Sequence, residues 1–596
     1  MRIHKGMTNS EISELLHIVS AAYEIKDKEK NKYKVIAYDR ASVAVEHLSS
    51  EAKDLWDEGK LEEVAGIGTS IAKHLDEIFR TGKSSHFEKV LKGLPPGMFE
   101  LMKVSGIGAK TAYKLSKELN IVSEKDALGK LEKAVKEGRV ENIEGFGEQS
   151  QESIEKAISE VKSRKKRYLL PFATELAGDI IRWLKKDENI VNVDPLGSLR
   201  RKASTVGDID IACASKDPIK TLEHFVKYKN TKRVLEKGDN TASIILANGA
   251  HIDLMVHEPS VYGSVLQHFT GSKHHNIALR EYANKLGLSL SEYGIKSLKT
   301  NRKHKFSKEK DFYEYLKLSW IPPELREDMG EIEKAKENMI PKLVELSDIK
   351  ADLQIHSAFN IETSHDLGLS NMKDIVKKAN ELGYEYIALT EHNPSRSGHD
   401  EKQVIELLKK KAKAIEQINY SLKNNDKKRV MKVYNSLEVD ILPDGNLAIS
   451  DKALDLLDFA LVSIHSSFKQ DKKTTTNRVI SALNHKKVKI FAHPTGRKIN
   501  YREGVELDWD VIFKFCKENS KWIEINAAPQ RLDLPDYLVK DAINEGIKLT
   551  LGTDAHHIDH MDNMLWGVSV AQRGWATKAD IINSYSLSEF EKELDR

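Results

Sequence analysis

Gly197-Ser-Leu-Arg-Arg-Lys-Ala-Ser-Thr-Val-Gly-Asp-Ile-Asp210 is the stretch on which the reading of this 596-residue chain turns. Residues two apart on a strand point to the same face, so Asp208 and Asp210 project their carboxylates together. Asp253, in the later run His251-Ile-Asp-Leu, can complete a trio. Three clustered carboxylates repel one another unless divalent cations neutralise them. Two such ions about 3.5–4 Å apart serve in-line phosphoryl transfer. Upstream, the Gly197-Ser198 turn with Arg201 suits a triphosphate, because backbone and hydroxyl donors combine with a guanidinium fork. An isolated Asp-x-Asp is usually an exposed strand face. Gly-Ser followed downstream by Gly-Asp-x-Asp is much sharper.

Around this stretch, residues 190–255 read as short β runs. Asn248-Gly249 sits between Ser243-Ile-Ile-Leu and His251-Ile-Asp-Leu-Met-Val, a hairpin signal. Residues 260–320 read as mixed helix and loop, and Pro322-Pro323 with the charged segment after it reads as a linker. Towards the N-terminus, residues 8–165 read as helical. Thr8-x-x-Glu11 predicts a capping box before Ile12, Leu15, Leu16 and Val19. A short element recurs there as Gly66-Ile-Gly68, Gly106-Ile-Gly108 and, more weakly, Gly145-Phe-Gly147. Such glycines permit a tight turn and close backbone approach, and the helix that follows offers free N–H groups to phosphate. The basic run Lys162-Ser-Arg-Lys-Lys-Arg167 reads equally as a solvated linker face or as a phosphate contact.

The last third, from about 348, alternates apolar runs with helices. Seven strand-like runs stand out: 352–356, 386–392, 433–438, 459–465, 490–493, 522–526 and 548–554. Each ends in His, Glu, Asn or Asp, and in an α/β barrel those ends converge on one face. His356, His392, Glu438, His465, His493, Asp554 and His556 are therefore candidate metal ligands. Imidazoles mixed with carboxylates suit zinc or manganese, and several ions could share such a set to activate water against a phosphodiester. One histidine alone would be an ordinary strand cap; six or seven histidines and carboxylates at successive strand ends are not.

Bulk composition is that of an ordinary folded chain, 40% hydrophobic and 31% charged. Lys and Arg number 94 against 91 acids, and a net charge of +3 leaves nucleic-acid binding to local patches. Two cysteines, Cys213 and Cys516, do not make a disulfide framework, so a reducing cytoplasm is expected. No apolar run is long enough to span a bilayer, and none follows Met1-Arg-Ile-His-Lys5 as a leader would. No membrane partner is expected.

Taken together, Gly197 to Asp210 resembles the nucleotidyltransferase signature and, within it, the palm of family X (polymerase β-like) DNA polymerases. Val64-Ala-Gly-Ile-Gly-Thr-Ser-Ile-Ala72 and Val104-Ser-Gly-Ile-Gly-Ala-Lys-Thr-Ala112 resemble helix-hairpin-helix motifs, which grip DNA backbone. Phe269-Thr-Gly-Ser-Lys-His-His-Asn276, Arg280 and Glu292-Tyr293 resemble the family's nucleotide- and template-facing segment. Thr390-Glu-His392, Leu437-Glu-Val-Asp440, Ser463-Ile-His465, Ala492-His-Pro494, Glu524 to Asp533 and Gly552-Thr-Asp-Ala-His556 resemble the PHP domain fused to many prokaryotic members. The resemblance covers essentially the whole chain.

It implies a multidomain protein: an α-helical helix-hairpin-helix region, an α+β nucleotidyltransferase palm and a C-terminal α/β, (β/α)7-like PHP barrel. The expected boundaries are 1–88 for a lyase-like domain, 89–167 for a second helix-hairpin-helix domain and 168–257 for the palm. A thumb-like subdomain follows at 258–325, then a linker at 326–347 and the PHP domain at 348–596. The resemblance implies Asp208, Asp210 and Asp253 on catalytic Mg²⁺ or Mn²⁺. It implies Gly197, Ser198, Arg201 and Gly207 on the triphosphate, Phe269 and Gly271 at the sugar, and Asn276 at the base. It implies Gly66, Gly68, Gly106, Gly108, Lys110 and Arg280 on DNA, and Mn²⁺ or Zn²⁺ in the PHP domain. The expected activity is short-gap filling in base excision repair by a monomer acting on gapped or nicked DNA with dNTPs. A manganese-stimulated PHP 3′-5′ exonuclease, sometimes an abasic-site endonuclease or a 3′ phosphatase, is expected beside it.

Three departures from the family pattern carry expectations of their own. His268 stands where the family has tyrosine. The lyase lysine position is taken by His74, with Lys73 beside it and Ser70 a turn earlier; a Schiff base needs an amine, so weak or absent lyase activity is expected. In the PHP domain Gln354 replaces the first histidine, and Asn360-Ile-Glu-Thr-Ser-His-Asp366 replaces Ser-Asp-Gly, leaving Glu362 or His365 to supply the missing ligand.

Overall fold

The computed structural model describes residues 7, 9–46, 52–57, 59–64, 66–104, 106–163, 167–423 and 429–596. Thr8 of the expected capping box and residues 164–166 of the basic run lie outside the described residues. The chain divides into two units, Met1–Lys166 and Arg167–Arg596.

The first unit is helical. Its long N-terminal helix, Asn9–Glu46, breaks at Asp27, whose φ/ψ of −172°/97° leave the helical region. Ile12, Leu15, Leu16 and Val19 are buried as their spacing predicts. The three glycine elements share one backbone course. Gly66, Gly106 and Gly145 all take positive φ (99°, 81° and 82°). The next residue then donates its N–H back three positions, as Ile67 to Val64 (2.9 Å), Ile107 to Val104 (3.0 Å) and Phe146 to Ile143 (2.9 Å). The helices that follow are Thr69–Thr81, Ala109–Glu118 and Glu148–Ser163. The third copy, weakest in sequence, thus has the same turn.

The second unit begins with helix Leu170–Leu184 packed on a five-stranded mixed sheet. The sheet order is Ile190–Pro195, Ile209–Ser215, His251–His257, Thr241–Leu246 and Thr231–Lys237. The expected hairpin joins Thr241–Leu246 to His251–His257 through Gly249 at φ 85°. Strand His251–His257 alternates, burying Ile252 and Leu254 and leaving His251 and Asp253 on the open face.

Helices Tyr262–Thr270 and Lys273–Lys285 and a three-stranded antiparallel sheet follow. Residues 326–347, expected as a linker, are instead built into this region. Arg326 is fully buried and donates to Glu309 (2.6 Å), Glu331 lies 2.6 Å from His275, and Ile332 and Ala335 join a core with Leu279 and Phe312. Charge made the segment look solvated, but each buried charge has a partner from the preceding elements.

The remainder is a parallel α/β barrel with a break. Strands Ala351–Ile355, Tyr386–Leu389 and Lys432–Asn435 form one sheet. Glu438–Asp440, Ala460–Ser463, Val488–Phe491, Trp522–Asn526 and Leu549–Gly552 form the other. Bridges His392–Glu438 and Ile355–Ala555 join the two at both ends. The run 433–438 therefore supplies parts of two strands rather than one. Most of these strands are wholly buried, which is why they read as unbroken apolar runs.

Candidate active sites

In the five-stranded sheet, Ile209–Ser215 runs parallel to His251–His257 with Asp210 directly opposite Asp253. Asp208 precedes the strand and is exposed. Burial, then Asp253 and Asp208, push the Asp210 carboxyl up to about 6. His251 stands between the other two acids, its Nδ1 3.6 Å from Asp208 and its Nε2 3.3 Å from Asp253. The Ser243 hydroxyl donates to Asp253. Three oxygen-donor side chains at one open edge, one of them held partly protonated by its neighbours, make a site that a divalent cation would relieve.

Gly197 and Ser198 open the short helix Gly197–Arg200 beside this trio. A Cβ on Gly197 would sit 2.8 Å from Asp210 Oδ2, and its φ is 55°, so glycine is required on both counts. Gly207 packs under the Arg167 guanidinium, 3.2 Å from where its Cβ would be. Arg201 is drawn away from the trio: Nε donates to Glu327 (2.9 Å) and Nη1 to the Thr270 carbonyl. Gly271 (φ 69°) lies against the same guanidinium. Asn276 donates to the His268 carbonyl (2.7 Å) and accepts from Gln267 (2.9 Å), which gathers His268, Phe269 and Asn276 into one group. Arg280 is exposed.

In the barrel, Glu438 is the hub. Its carboxylate lies 2.7 Å from His493 Nε2, 3.3 Å from His465 Nε2, 3.3 Å from His356 Nε2 and 3.6 Å from His392 Nδ1. His356 Nε2 is also 3.1 Å from Asp554. Four triads could each hold an ion: His356-His392-His556, His365-Asp440-His465, His392-Glu438-His465 and His356-Glu438-Asp554. Because they share members, they describe one extended site rather than four. The residues fit metal on a separate ground. Both ring nitrogens of His356, Nδ1 of His392 and Nδ1 of His493 are buried without a hydrogen-bond partner. His556 donates from Nδ1 to the Asp554 carbonyl (2.9 Å), which leaves Nε2 with its lone pair.

Charge follows burial and pairing. His392, His493 and His556 are pushed down, chiefly by burial, towards the neutral ligand form. His356 and His465 are held up, to about 10 and about 9; burial opposes this, and the adjacent carboxylates prevail. Burial likewise opposes the charge on Glu438, yet the surrounding histidines keep it well below the usual carboxylate range.

The departures resolve individually. Gln354 takes the first-histidine slot and donates to Glu438 (2.8 Å), orienting the hub. His365, not Glu362, reaches the site, 3.0 Å from Asp440; Glu362 pairs with His399 (2.9 Å). Asp440, 2.7 Å from His465 Nδ1, was not among the expected ligands. Its signal was present, since Glu438 and Asp440 are two apart on one strand, the spacing that Asp208 and Asp210 have across the start of theirs.

Comparison with known proteins bears on the whole. Family models match a helix-hairpin-helix domain at 7–84, a DNA polymerase beta thumb at 265–327 and a PHP domain at 352–528. The chain is 33% identical over 592 residues to the "DNA polymerase/3'-5' exonuclease PolX" of Bacillus subtilis (strain 168), covering 99% of this chain and 100% of that one. The chain belongs to the PolX family of DNA polymerases. A 195-residue stretch, 31% of this chain, is also 25% identical to a "Probable phosphatase" of Acetivibrio thermocellus, covering 73% of that protein.

As a PolX chain it carries its helix-hairpin-helix domain and its glycine turns in the first unit. A Cβ on Gly68, Gly106 or Gly108 would meet nothing within 4 Å, which leaves these turns open to close approach, and Lys110 is exposed beside the second; Gly66 is tighter, its Cβ 3.1 Å from Ala44. At the lyase position the His74 ring stacks on His86 at 4.0 Å and 5°, and the Tyr23 hydroxyl lies 2.8 Å from His86. Lys73 is exposed. No described helix is long and apolar enough to cross a membrane.

Proposed function

We propose that this chain fills short gaps in duplex DNA, in base excision repair, and trims 3′ ends with its PHP domain. The observation that carries the reading is the register of Asp210 against Asp253, with Asp208 two residues away and Gly197-Ser198 alongside. Oxygen-only donors favour Mg²⁺ or Mn²⁺ there, and the histidine-rich barrel favours Mn²⁺ or Zn²⁺. Divalent ions supply Lewis acidity and a more acidic bound water when present. The chain's residues orient around them: Gly197 and Ser198 cradle phosphate, Gly207 allows close approach, and Phe269, Gly271 and Asn276 face the nucleotide. For Arg201 to reach the triphosphate it must exchange Glu327 for phosphate oxygens. Gly66, Gly68, Gly106, Gly108 and Lys110 hold backbone without reading sequence, while Arg280 faces the template. Abasic-site cleavage belongs to the PHP domain in this reading, lyase activity is weak or absent, and the working form is a monomer.

The test is extension of a 5′-labelled primer on a gapped duplex with dNTPs and Mg²⁺ or Mn²⁺. Lengthening that Asp208→Ala abolishes, with Mn²⁺-dependent shortening that persists in the same variant, is the expected result. No lengthening with either metal overturns the polymerase reading.

A further inference from the structure

Three cations stand at the edge of the barrel site. Arg531 follows strand Trp522–Asn526, with Nε 3.6 Å from Asp554 and a side chain 15% exposed. Its guanidinium makes no hydrogen bond among the described residues, and neither does the Lys498 ammonium. Lys498 and Arg502 face each other across a narrow turn, with N–H to carbonyl bonds in both directions (2.9 and 2.8 Å). The Arg502 guanidinium lies 3.8 Å from the Phe468 ring centre and donates to the Gly496 carbonyl (2.6 Å).

The turn is held rigidly. Arg497 donates to the Arg531 carbonyl (2.8 Å), Ile499 N–H to the Gln530 carbonyl (2.7 Å), and Asn500 to the Arg167 carbonyl (3.0 Å). Packing these cations together is costly. Partial desolvation, then Arg531 and Arg502, push the Lys498 ammonium down against the pull of Asp366 and Asp554; desolvation, then Arg531, push the Arg502 guanidinium down against Asp533. The Arg531 guanidinium is largely buried with unfilled hydrogen-bond donors, and the Asp554 carboxylate at 3.6 Å is set against two neighbouring cations. Such an arrangement persists where an anion completes it.

We propose that Arg531, Lys498 and Arg502 form a clamp for the phosphodiester backbone of the DNA strand entering the PHP site. Arg531, nearest Asp554, takes the scissile phosphate through its planar fork; Lys498 and Arg502 take the adjoining phosphates as the strand runs over the turn. The proposal rests on the phosphodiesterase reading of the PHP domain and assigns the residues that hold its substrate.

The test uses the full chain with Mn²⁺ and two probes, thymidine 5′-monophosphate binding by calorimetry and hydrolysis of a single-stranded oligonucleotide. Arg531→Gln is expected to weaken monophosphate binding at least tenfold with bound-metal stoichiometry unchanged. Arg531→Lys is expected not to restore it, because a charge without the fork does not suffice. The Lys498→Ala/Arg502→Ala pair is expected to flatten the log–log salt dependence of kcat/KM on the oligonucleotide by about 1.4, at about 0.7 per single-strand phosphate contact. Unchanged monophosphate affinity in Arg531→Gln, or full rescue by lysine, overturns the clamp. Monophosphate binding that depends on Arg531, in a chain that cleaves no oligonucleotide, upholds the clamp and overturns the phosphodiesterase reading.

Discussion

The palm trio and the barrel basket solve the same problem in opposite ways. In the palm, three carboxylates meet at an open edge with a single histidine between them, and Asp210 is pushed up by burial and then by neighbours that share its sign. In the barrel, carboxylates and imidazoles alternate. Glu438 and Asp554 are driven down, while His356 and His465 are held up by the same contacts. The first site is electrostatically incomplete without cations; the second is compensated by its own protons. An open acidic site suits ions that arrive with a polyphosphate substrate, and a buried mixed site suits ions that stay.

The most severe way to break the comparison is to remove each hub in turn. Asp253→Ala should cut primer extension by about 10³-fold or more, about 4 kcal/mol in the barrier, and leave shortening intact. Glu438→Ala should do the reverse, as read on one labelled primer in both directions. If either variant loses both activities, the sites are not independent.

A smaller effect is expected at Gln354, which orients Glu438 without being a candidate ligand. Gln354→Ala should slow shortening by about 10–100-fold, the usual range for a residue that orients a ligand. An unchanged rate would make the amide a space-filler.

Asp210 offers a stability readout with a definite sign. Its native carboxyl titrates near 6, above its ordinary 3.8. Below about pH 4 both native and unfolded chains are protonated and nothing is lost. As pH rises through about 4 to 6 the unfolded chain ionises first, so the metal-free native state is disfavoured by about 3 kcal/mol above pH 7. Metal-free Asp210→Asn should therefore melt higher than wild type at pH 8, with the gap closing near pH 4.

The subtlest signal is the proton count on metal uptake. With His356 and His465 held protonated, Mn²⁺ binding to the barrel at pH 8 should release protons, whereas Asp210 in the palm is already ionised there. Calorimetry of Asp253→Ala and Glu438→Ala in two buffers of different ionisation enthalpy separates the two contributions.

Much of this was legible from local spacing. Residues two apart placed Asp208 with Asp210, and the same rule applied to Glu438 and Asp440 points to Asp440 as a further candidate. Gly145-Phe-Gly147 was under-read because its flanks are poor, although its turn depends only on the two glycines and a residue between them. The segment 326–347 was misread because Arg326 and Glu331 look solvated until their buried partners, Glu309 and His275, are known.

The sequence by itself determined the modules, the grouping of the palm carboxylates and the gathering of histidines and acids at the barrel strand ends, because each rests on backbone periodicity over a few residues. Only the tertiary structure decided that His365 rather than Glu362 reaches the barrel site, that Gln354 serves Glu438, and that Arg201 is held by Glu327. Those outcomes depend on where side chains far apart in sequence meet. That position is set by the closure of the barrel and the packing of the palm on its neighbours, which no local pattern encodes.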